Sequence, residues 1–118
     1  MDRERLIQAG IDYDAGLKRF AGKPQLYEKY LLKLLGDETL KSVRRHIEHK
    51  NYPLAFDESH SLKGLYGNLS LGELYDTMCE LVEELRTMVP GVKMGELLTQ
   101  AERKLEEIKT AIIESQNI

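Results

Sequence analysis

Residues 60–69 read His-Ser-Leu-Lys-Gly-Leu-Tyr-Gly-Asn-Leu, a pattern that is typical of a helix except for its two glycines. A glycine inside a helix costs roughly 1 kcal/mol relative to alanine, so two glycines three residues apart need a reason. At about 100° per residue, one side of this helix carries the leucines and the tyrosine. The other side carries His60, Lys63, Gly64 and Gly67. We therefore predict one face buried in a core and one nearly bare face that a partner can approach closely.

The composition of the whole chain favours a single helical domain. The 118 residues are 42% apolar and 31% charged, which is enough for one hydrophobic core and too little for two. Only three prolines are present, and leucine, glutamate and lysine are abundant, which favours helix over strand. The net charge of −3 gives no general attraction for nucleic acid or for an anionic membrane, so we expect neither partner.

The cysteine content and the N-terminus indicate a soluble cytoplasmic protein. Cys79 is the single cysteine, so an internal disulfide is excluded and no thiol pair can hold a metal. The charged N-terminus lacks the apolar segment of a signal peptide, and no apolar run approaches the roughly 18 residues of a transmembrane helix.

The apolar periodicity predicts short helices over 2–8 and 13–20 and longer ones over 24–35, 38–49, 53–69, 71 to the turn at Pro90, and 93–115. We expect residues 1–10 to be frayed and the core domain to cover about 11–115 of a single 1–118 domain. Long helices with wide apolar stripes and short connections are buried most simply as an antiparallel up-down four-helix bundle. The fold class is therefore predicted to be all-α, with the two short N-terminal helices capping the bundle.

Several local patterns refine these helices. Asp12 and Asp37 are expected to be N-caps, and Ser70 with Glu73 fits a capping box. The predicted apolar stripe of the helix over 24–35 consists of Leu26, Tyr30, Leu31, Leu34 and Leu35. The final helix is expected to bury Leu97, Ala101, Leu105, Ile108 and Ile112.

The run His60-Ser61-Leu62-Lys63-Gly64, followed by Gly67-Asn68-Leu69 and by Leu71 and Leu74, resembles the signature of histidine phosphotransfer (HPt) domains. Upstream, Gly10-Ile11-Asp12 and the run over 16–20 are similar to the usual lead-in of that family, so the resemblance covers about residues 10–115. It implies a helical bundle and a phosphocarrier rather than an autonomous enzyme. Such a carrier relays a phosphoryl group between the aspartates of receiver domains in a multistep two-component phosphorelay.

The resemblance also implies the roles of individual residues. His60 matches the phosphoacceptor, Lys63 matches the lysine near the phosphoryl group, and Gly64 and Gly67 match the small residues over which a receiver docks. Two positions depart from the family pattern. Ser70 replaces a glycine, and Val82 stands where many members carry a polar residue that hydrogen-bonds the imidazole. Glu83 or a backbone carbonyl would then have to orient His60.

The residue chemistry suits this role. A neutral imidazole is a nucleophile near pH 7 because its pKa is about 6.5, and a lysine one turn away can reach phosphate oxygens. In-line transfer needs an approach of roughly 3 to 3.5 Å, which side chains at positions 64 and 67 would obstruct. No phosphate-binding glycine loop, nucleotide motif or carboxylate cluster is present, so we expect no cofactor or metal here and Mg²⁺ on the receiver. Phe56 projects toward the His60 face and is expected to be an apolar docking contact.

Other interpretations of the same residues stay open. His60 can be an ordinary surface histidine, and either glycine can instead let another helix of the same domain pack closely. The chain can also be the phosphorylatable N-terminal domain of a chemotaxis-type histidine kinase, or a helical adaptor that is never phosphorylated. We expect a monomer, with His46 and His49 on the solvated surface. Glu58 projects toward the apolar side of its helix and has no evident partner.

Overall fold

The computed structural model describes residues 1–116, and helices are the only regular secondary structure in that part of the chain. They are α1 (Arg3–Gln8), α2 (Tyr13–Arg19), α3 (Pro24–Leu34), α4 (Thr39–Glu48), α5 (Tyr52–Asn68), α6 (Gly72–Arg86) and α7 (Val92–Ser115). The predicted all-α class is confirmed, and the predicted helix bounds are right to within one or two residues at most ends.

The helices pack around α5, which lies between α4 and α6, while α6 also packs against α7. The contacts give the directions of three pairs. In α5 and α6, Phe56 faces Arg86 and Gly67 faces Tyr75, so these two helices are antiparallel. The α6–α7 pair is antiparallel as well, because Glu73 binds Lys104 near the start of α6 and Glu84 approaches Gly91 near its end.

The third antiparallel pair is α4 and α7. The Arg44 guanidinium binds the Glu102 carboxylate at 2.6 Å, and the Lys109 amine donates to the Asp37 carbonyl at 3.1 Å, just before α4 begins. All the residues predicted to be buried in the last helix are buried (Leu97, Ala101, Leu105, Ile108 and Ile112). The stripe spacing of 3.6 residues therefore predicted the core face of α7 correctly.

The N-terminal segment is a packed helix rather than a frayed end. Leu6 of α1 is fully buried, α1 packs against α7, and the Arg5 guanidinium binds the Glu114 carboxylate at 2.8 Å. Asp2 caps the helix by accepting a hydrogen bond from the Arg5 amide. Because one buried leucine and a cap are enough to hold six residues against a long helix, their short length does not leave them loose.

A buried tyrosine connects the N-terminal helices to the end of α5. The Tyr27 ring of α3 lies directly over Gly16 of α2, where a side chain would overlap it. Its hydroxyl donates to the Leu69 carbonyl at 2.7 Å. Since Leu69 follows the last residue of α5, this bond holds the C-terminal end of the helix that carries His60.

The predicted apolar stripe of α3 is wrong in part. Leu31 and Leu34 are buried as predicted, but Leu26 and Tyr30 are 38% and 39% exposed, and Tyr27 is buried instead. Tyr30 stacks on Phe20 with ring centres 5.3 Å apart rather than entering the core. The reason is that α3 contacts α2 and α7 on one side only, so a wide stripe is not fully covered.

The predicted capping box at the start of α6 is also wrong. Ser70 has a φ of +59°, Leu71 is the N-cap residue without a side-chain cap, and the helix begins at Gly72. The Ser70 hydroxyl is buried without a hydrogen-bond partner within residues 1–116, and the Glu73 carboxylate binds Lys104 at 3.0 Å instead. The chain needs a left-handed residue to turn from α5 into α6, and this conformation carries Ser70 away from the cap position.

The other predicted caps are close to those observed. The Asp12 carboxylate accepts from the Ala15 amide at 3.2 Å, as an N-cap does. The Asp37 carboxylate accepts from the Thr39 amide at 2.9 Å, although Glu38 is the residue at the N-cap of α4. Asn51 caps α5 by accepting from the Leu54 amide at 3.4 Å.

Three buried tyrosines make stability depend on alkaline pH. Burial and a hydrogen bond to Glu28 raise the pKa of Tyr13 to about 12, and burial raises the pKa values of Tyr27 and Tyr66 as well. The folded state therefore holds protons that the unfolded chain releases at its ordinary pKa of about 10. Their contribution is present in full below that pH and is lost as pH rises through the folded-state values.

We expect the urea midpoint to fall between about pH 9 and about pH 11, where unfolded tyrosine ionises. Tyr27→Phe should reduce this fall, because a residue that cannot ionise no longer links unfolding to proton release. Equal midpoints at both pH values would contradict the prediction.

Candidate functional site

His60 lies near the middle of α5 with its imidazole exposed to solvent. Its neighbours Ser59 and Leu62 are buried, so the backbone at this position is held by the core while the ring points outward. Within residues 1–116 the ring makes no hydrogen bond. Its nearest aromatic neighbour is Phe56, one turn earlier, with ring centres 6.0 Å apart and planes tilted by 31°. Both ring nitrogens are therefore free to meet a partner molecule.

The polar residue that would orient the imidazole is absent from α6. The antiparallel register that sets Phe56 beside Arg86 brings Val82 to the level of His60, and Val82 is fully buried. Glu83, which the sequence offers as a substitute, binds Arg86 at 3.2 Å instead. Contact with the Phe56 ring is thus what the structure provides beside the imidazole.

A shallow depression surrounds the histidine. Its lining residues are Phe56, Asp57, His60, Ser61 and Arg86. The Arg86 guanidinium lies over the Phe56 ring, 5.3 Å from its centre, in cation–π geometry. Phe56 is half-buried, so it supports both groups and keeps part of its ring at the surface. We refer to these five residues as the His60 depression.

Lys63 and the two glycines line a neighbouring groove, further along the same side of α5. This groove runs between α2 and α6, with charged side chains from Asp12 and Arg19 and the ring of Tyr75. Lys63 is half-exposed and makes no ion pair or hydrogen bond within the described part of the chain. The five predicted site residues therefore share one side of α5 but occupy two adjoining surface hollows.

The two glycines have different surroundings. A methyl group on Gly64 would meet no atom within 4 Å, so the helix surface is bare there. A methyl group on Gly67 would lie 3.1 Å from the Tyr75 ring of α6, which is tighter than an ordinary contact. The alternative in which a glycine lets another helix of the same domain pack closely therefore applies to Gly67, and Gly64 alone offers open backbone.

The prediction that His46 is solvated is wrong. Its ring nitrogen Nδ1 lies 2.6 Å from one oxygen of Glu58, and the Ser42 hydroxyl donates to the other oxygen at 2.6 Å. Glu58 lies on α5, and both of its partners lie on α4. Its unexplained position toward the core side was the available signal, because a half-buried carboxylate needs donors from the neighbouring helix. His49 is exposed, as predicted.

Removing the Glu58 carboxylate should weaken the contact between α4 and α5. In Glu58→Ala both donors lose their acceptor, and we expect a loss of about 1 to 2 kcal/mol in the free energy of unfolding. Urea unfolding followed by circular dichroism measures this. Glu96→Ala on the exposed face of α7 is the matched control and should change stability little; equal values for the two variants would contradict the role of Glu58.

The remaining features narrow the chemistry of the site. Within residues 1–116 no group of three or more His, Cys, Asp or Glu side chains could hold a metal ion. In the same part of the chain no helix is long and apolar enough to cross a membrane. Cys79 is half-buried with a free thiol. Comparison with family models, curated proteins and solved structures gives no match to this chain.

Proposed function

We propose that this protein is a histidine phosphotransfer carrier that accepts a phosphoryl group on His60 from a receiver-domain aspartate and passes it to another. The observation that carries the proposal is the exposed His60 imidazole, which has no hydrogen-bond partner within residues 1–116 and lies one turn before the bare backbone of Gly64. A wet imidazole with free nitrogens is a competent nucleophile near neutral pH.

The helical arrangement that we propose with this function is an antiparallel four-helix bundle of α4 to α7. Three observations support it: the antiparallel pairs α5–α6, α6–α7 and α4–α7. With α4 also packed against α5, these four helices form a closed ring of neighbours. The shorter helices α1 to α3 then lie outside this ring, against α7 and the C-terminal end of α5.

The proposed transfer exchanges one bond to phosphorus for another. A neutral His60 nitrogen attacks the phosphorus of a receiver aspartyl phosphate, a P–N bond forms, and the acyl P–O bond breaks with the aspartate leaving as a carboxylate. The second ring nitrogen then releases its proton to water. Receiver domains supply the acidic pocket and the Mg²⁺ of this reaction, because the described residues offer no such cluster.

Three residues around His60 have distinct roles in this proposal. Lys63, free of intramolecular partners among the described residues, is positioned one turn from His60 to meet phosphoryl oxygens. Gly64 lets the receiver backbone approach, and the exposed part of Phe56 is an apolar contact for it. We propose that the carrier acts as a monomer in the cytoplasm, with receiver domains of hybrid kinases and response regulators as partners.

Incubation with a phosphorylated receiver domain tests the function. We expect the protein to gain a phosphate that is acid-labile and base-stable, as a phosphohistidine is, and His60→Gln to remain unlabelled. His49→Gln, which removes an exposed histidine that follows α4, is the matched control and should be labelled like the wild type. Full labelling of His60→Gln would sink the assignment of the site.

Two other outcomes would favour the alternatives. Receiver binding that survives His60→Ala, with no label in the wild type, would indicate a helical adaptor. Labelling by ATP and a kinase domain but by no receiver would indicate the N-terminal domain of a chemotaxis-type kinase.

A further inference from the structure

We propose that Arg86 is a second cation for the phosphoryl group on His60 and that it exchanges its partner Glu83 for this group when the histidine is phosphorylated. The inference rests on the proposed function and adds a residue from α6 to it. Neither the sequence pattern nor the resemblance assigns a role to this position.

The geometry gives Arg86 access to the histidine. It lines the His60 depression, and the Phe56 ring lies between the two groups, 5.3 Å from the guanidinium carbon and 6.0 Å from the imidazole centre. The Arg86 side chain is 56% exposed, so it can reorient without breaking core contacts. A phosphoryl group on the imidazole would extend into the same depression and toward the guanidinium.

The charges in the depression call for a cation on this side. Asp57 is the other charged residue among its lining residues, and its carboxylate would repel a phosphoryl group with a charge of about −1.5 to −2. Lys63 lines the neighbouring groove on the other side of the histidine. Arg86 is therefore the cation that faces the phosphoryl group within the depression itself.

The present partners of Arg86 hold it weakly. Its bonds to Glu83 are 3.2 and 3.3 Å long, one turn apart on the exposed face of α6, and such surface pairs contribute only about 0.2 to 1 kcal/mol. A phosphoryl dianion offers more charge than one carboxylate and accepts both arms of the guanidinium fork. The stack on Phe56 can persist during the exchange, because the ring contacts the face of the guanidinium and leaves its N–H groups free.

A phosphorus NMR titration tests the proposal without a receiver. Phosphoramidate transfers its phosphoryl group to an imidazole nitrogen with loss of ammonia, so it loads His60 directly. A nearby cation favours the dianion, and the phosphoryl pKa, ordinarily about 6, should be lower in the wild type than in Arg86→Gln by roughly half a unit or more. Arg86→Lys should fall between them, since it keeps the charge but loses the fork.

Controls separate the possible results. Arg103→Gln removes an exposed arginine from α7 and should leave the phosphoryl pKa unchanged. A purely structural role for Arg86 would alter the circular dichroism of the unloaded variant but not this pKa, and Arg86→Lys keeps the test valid if the glutamine variant unfolds. Equal pKa values in the wild type and Arg86→Gln would overturn the inference alone. Loading that persists unchanged in His60→Gln would overturn the proposed function with it.

Discussion

Gly16→Ala is expected to lower the free energy of unfolding by about 3 kcal/mol, the upper part of the range for overpacked cores. A methyl group at this position would overlap the Tyr27 ring and hydroxyl and would lie 2.6 Å from its Cε1 atom. Tyr27 cannot move aside easily, because it is fully buried and its hydroxyl is bonded to the Leu69 carbonyl at 2.7 Å. Either the ring shifts and loses this bond, or α2 separates from α3.

Gly64→Ala is the matched control for this prediction. It makes the same chemical change inside a helix, but its methyl group would meet nothing within 4 Å. We expect it to raise the stability by about 0.5 to 1 kcal/mol, because alanine loses less conformational freedom than glycine on folding. Urea unfolding followed by circular dichroism measures both variants, and a Gly16→Ala protein as stable as the wild type would mean that Tyr27 is not held against α2.

Gly64→Leu is expected to slow phosphoryl transfer from a receiver by about 100-fold, because displacement of the reacting atoms by about 1 Å can cost that much. The leucine would stand on an exposed helix surface one turn from His60, where the receiver has to approach. Loading by phosphoramidate should stay near the wild-type rate, since so small a donor needs no docking. The difference between the two donors isolates docking from the reactivity of the imidazole.

Gly95→Leu supplies the control for the bulky side chain. Gly95 lies in α7 and is exposed, and a methyl group there would meet no atom within 4 Å, so the fold should accept leucine at either site. Transfer from the receiver should be unaffected in this variant. Wild-type transfer in Gly64→Leu would show that the partner does not dock over position 64, and unfolding of that variant would mean that Gly64 packs inside the domain.

The elements that were predicted best are those whose apolar pattern is long and is covered along its full length. The stripe of α7 and that of α6 (Leu74, Met78, Leu81, Val82 and Leu85) are buried as expected. Each of these helices packs against neighbours for most of its length, so local periodicity and tertiary burial agree. The same reasoning explains why the exposed side of α5 could be predicted from the positions of His60 and Gly64.

The predictions that failed concern contacts between segments far apart in the chain. The stripe of α3 depends on which neighbours cover it, and Tyr27 rather than Tyr30 enters the core because Gly16 of α2 makes room for it. The turn after α5 gives Ser70 a left-handed backbone that no capping pattern reveals. The bond between His46 and Glu58 required the relative rotation of α4 and α5, which is set by packing and not by either helix alone.

The sequence by itself determined the helical class, the approximate helix bounds and the exposed face with His60, since these follow from periodicity and glycine positions within one segment. Tertiary structure alone decided the surroundings of that face. It brought Tyr75 against Gly67, left Gly64 bare and stacked Arg86 on Phe56 beside the histidine. These contacts depend on the antiparallel register of α5 and α6, which arises from the packing of both helices in the core and is not encoded in either helix separately.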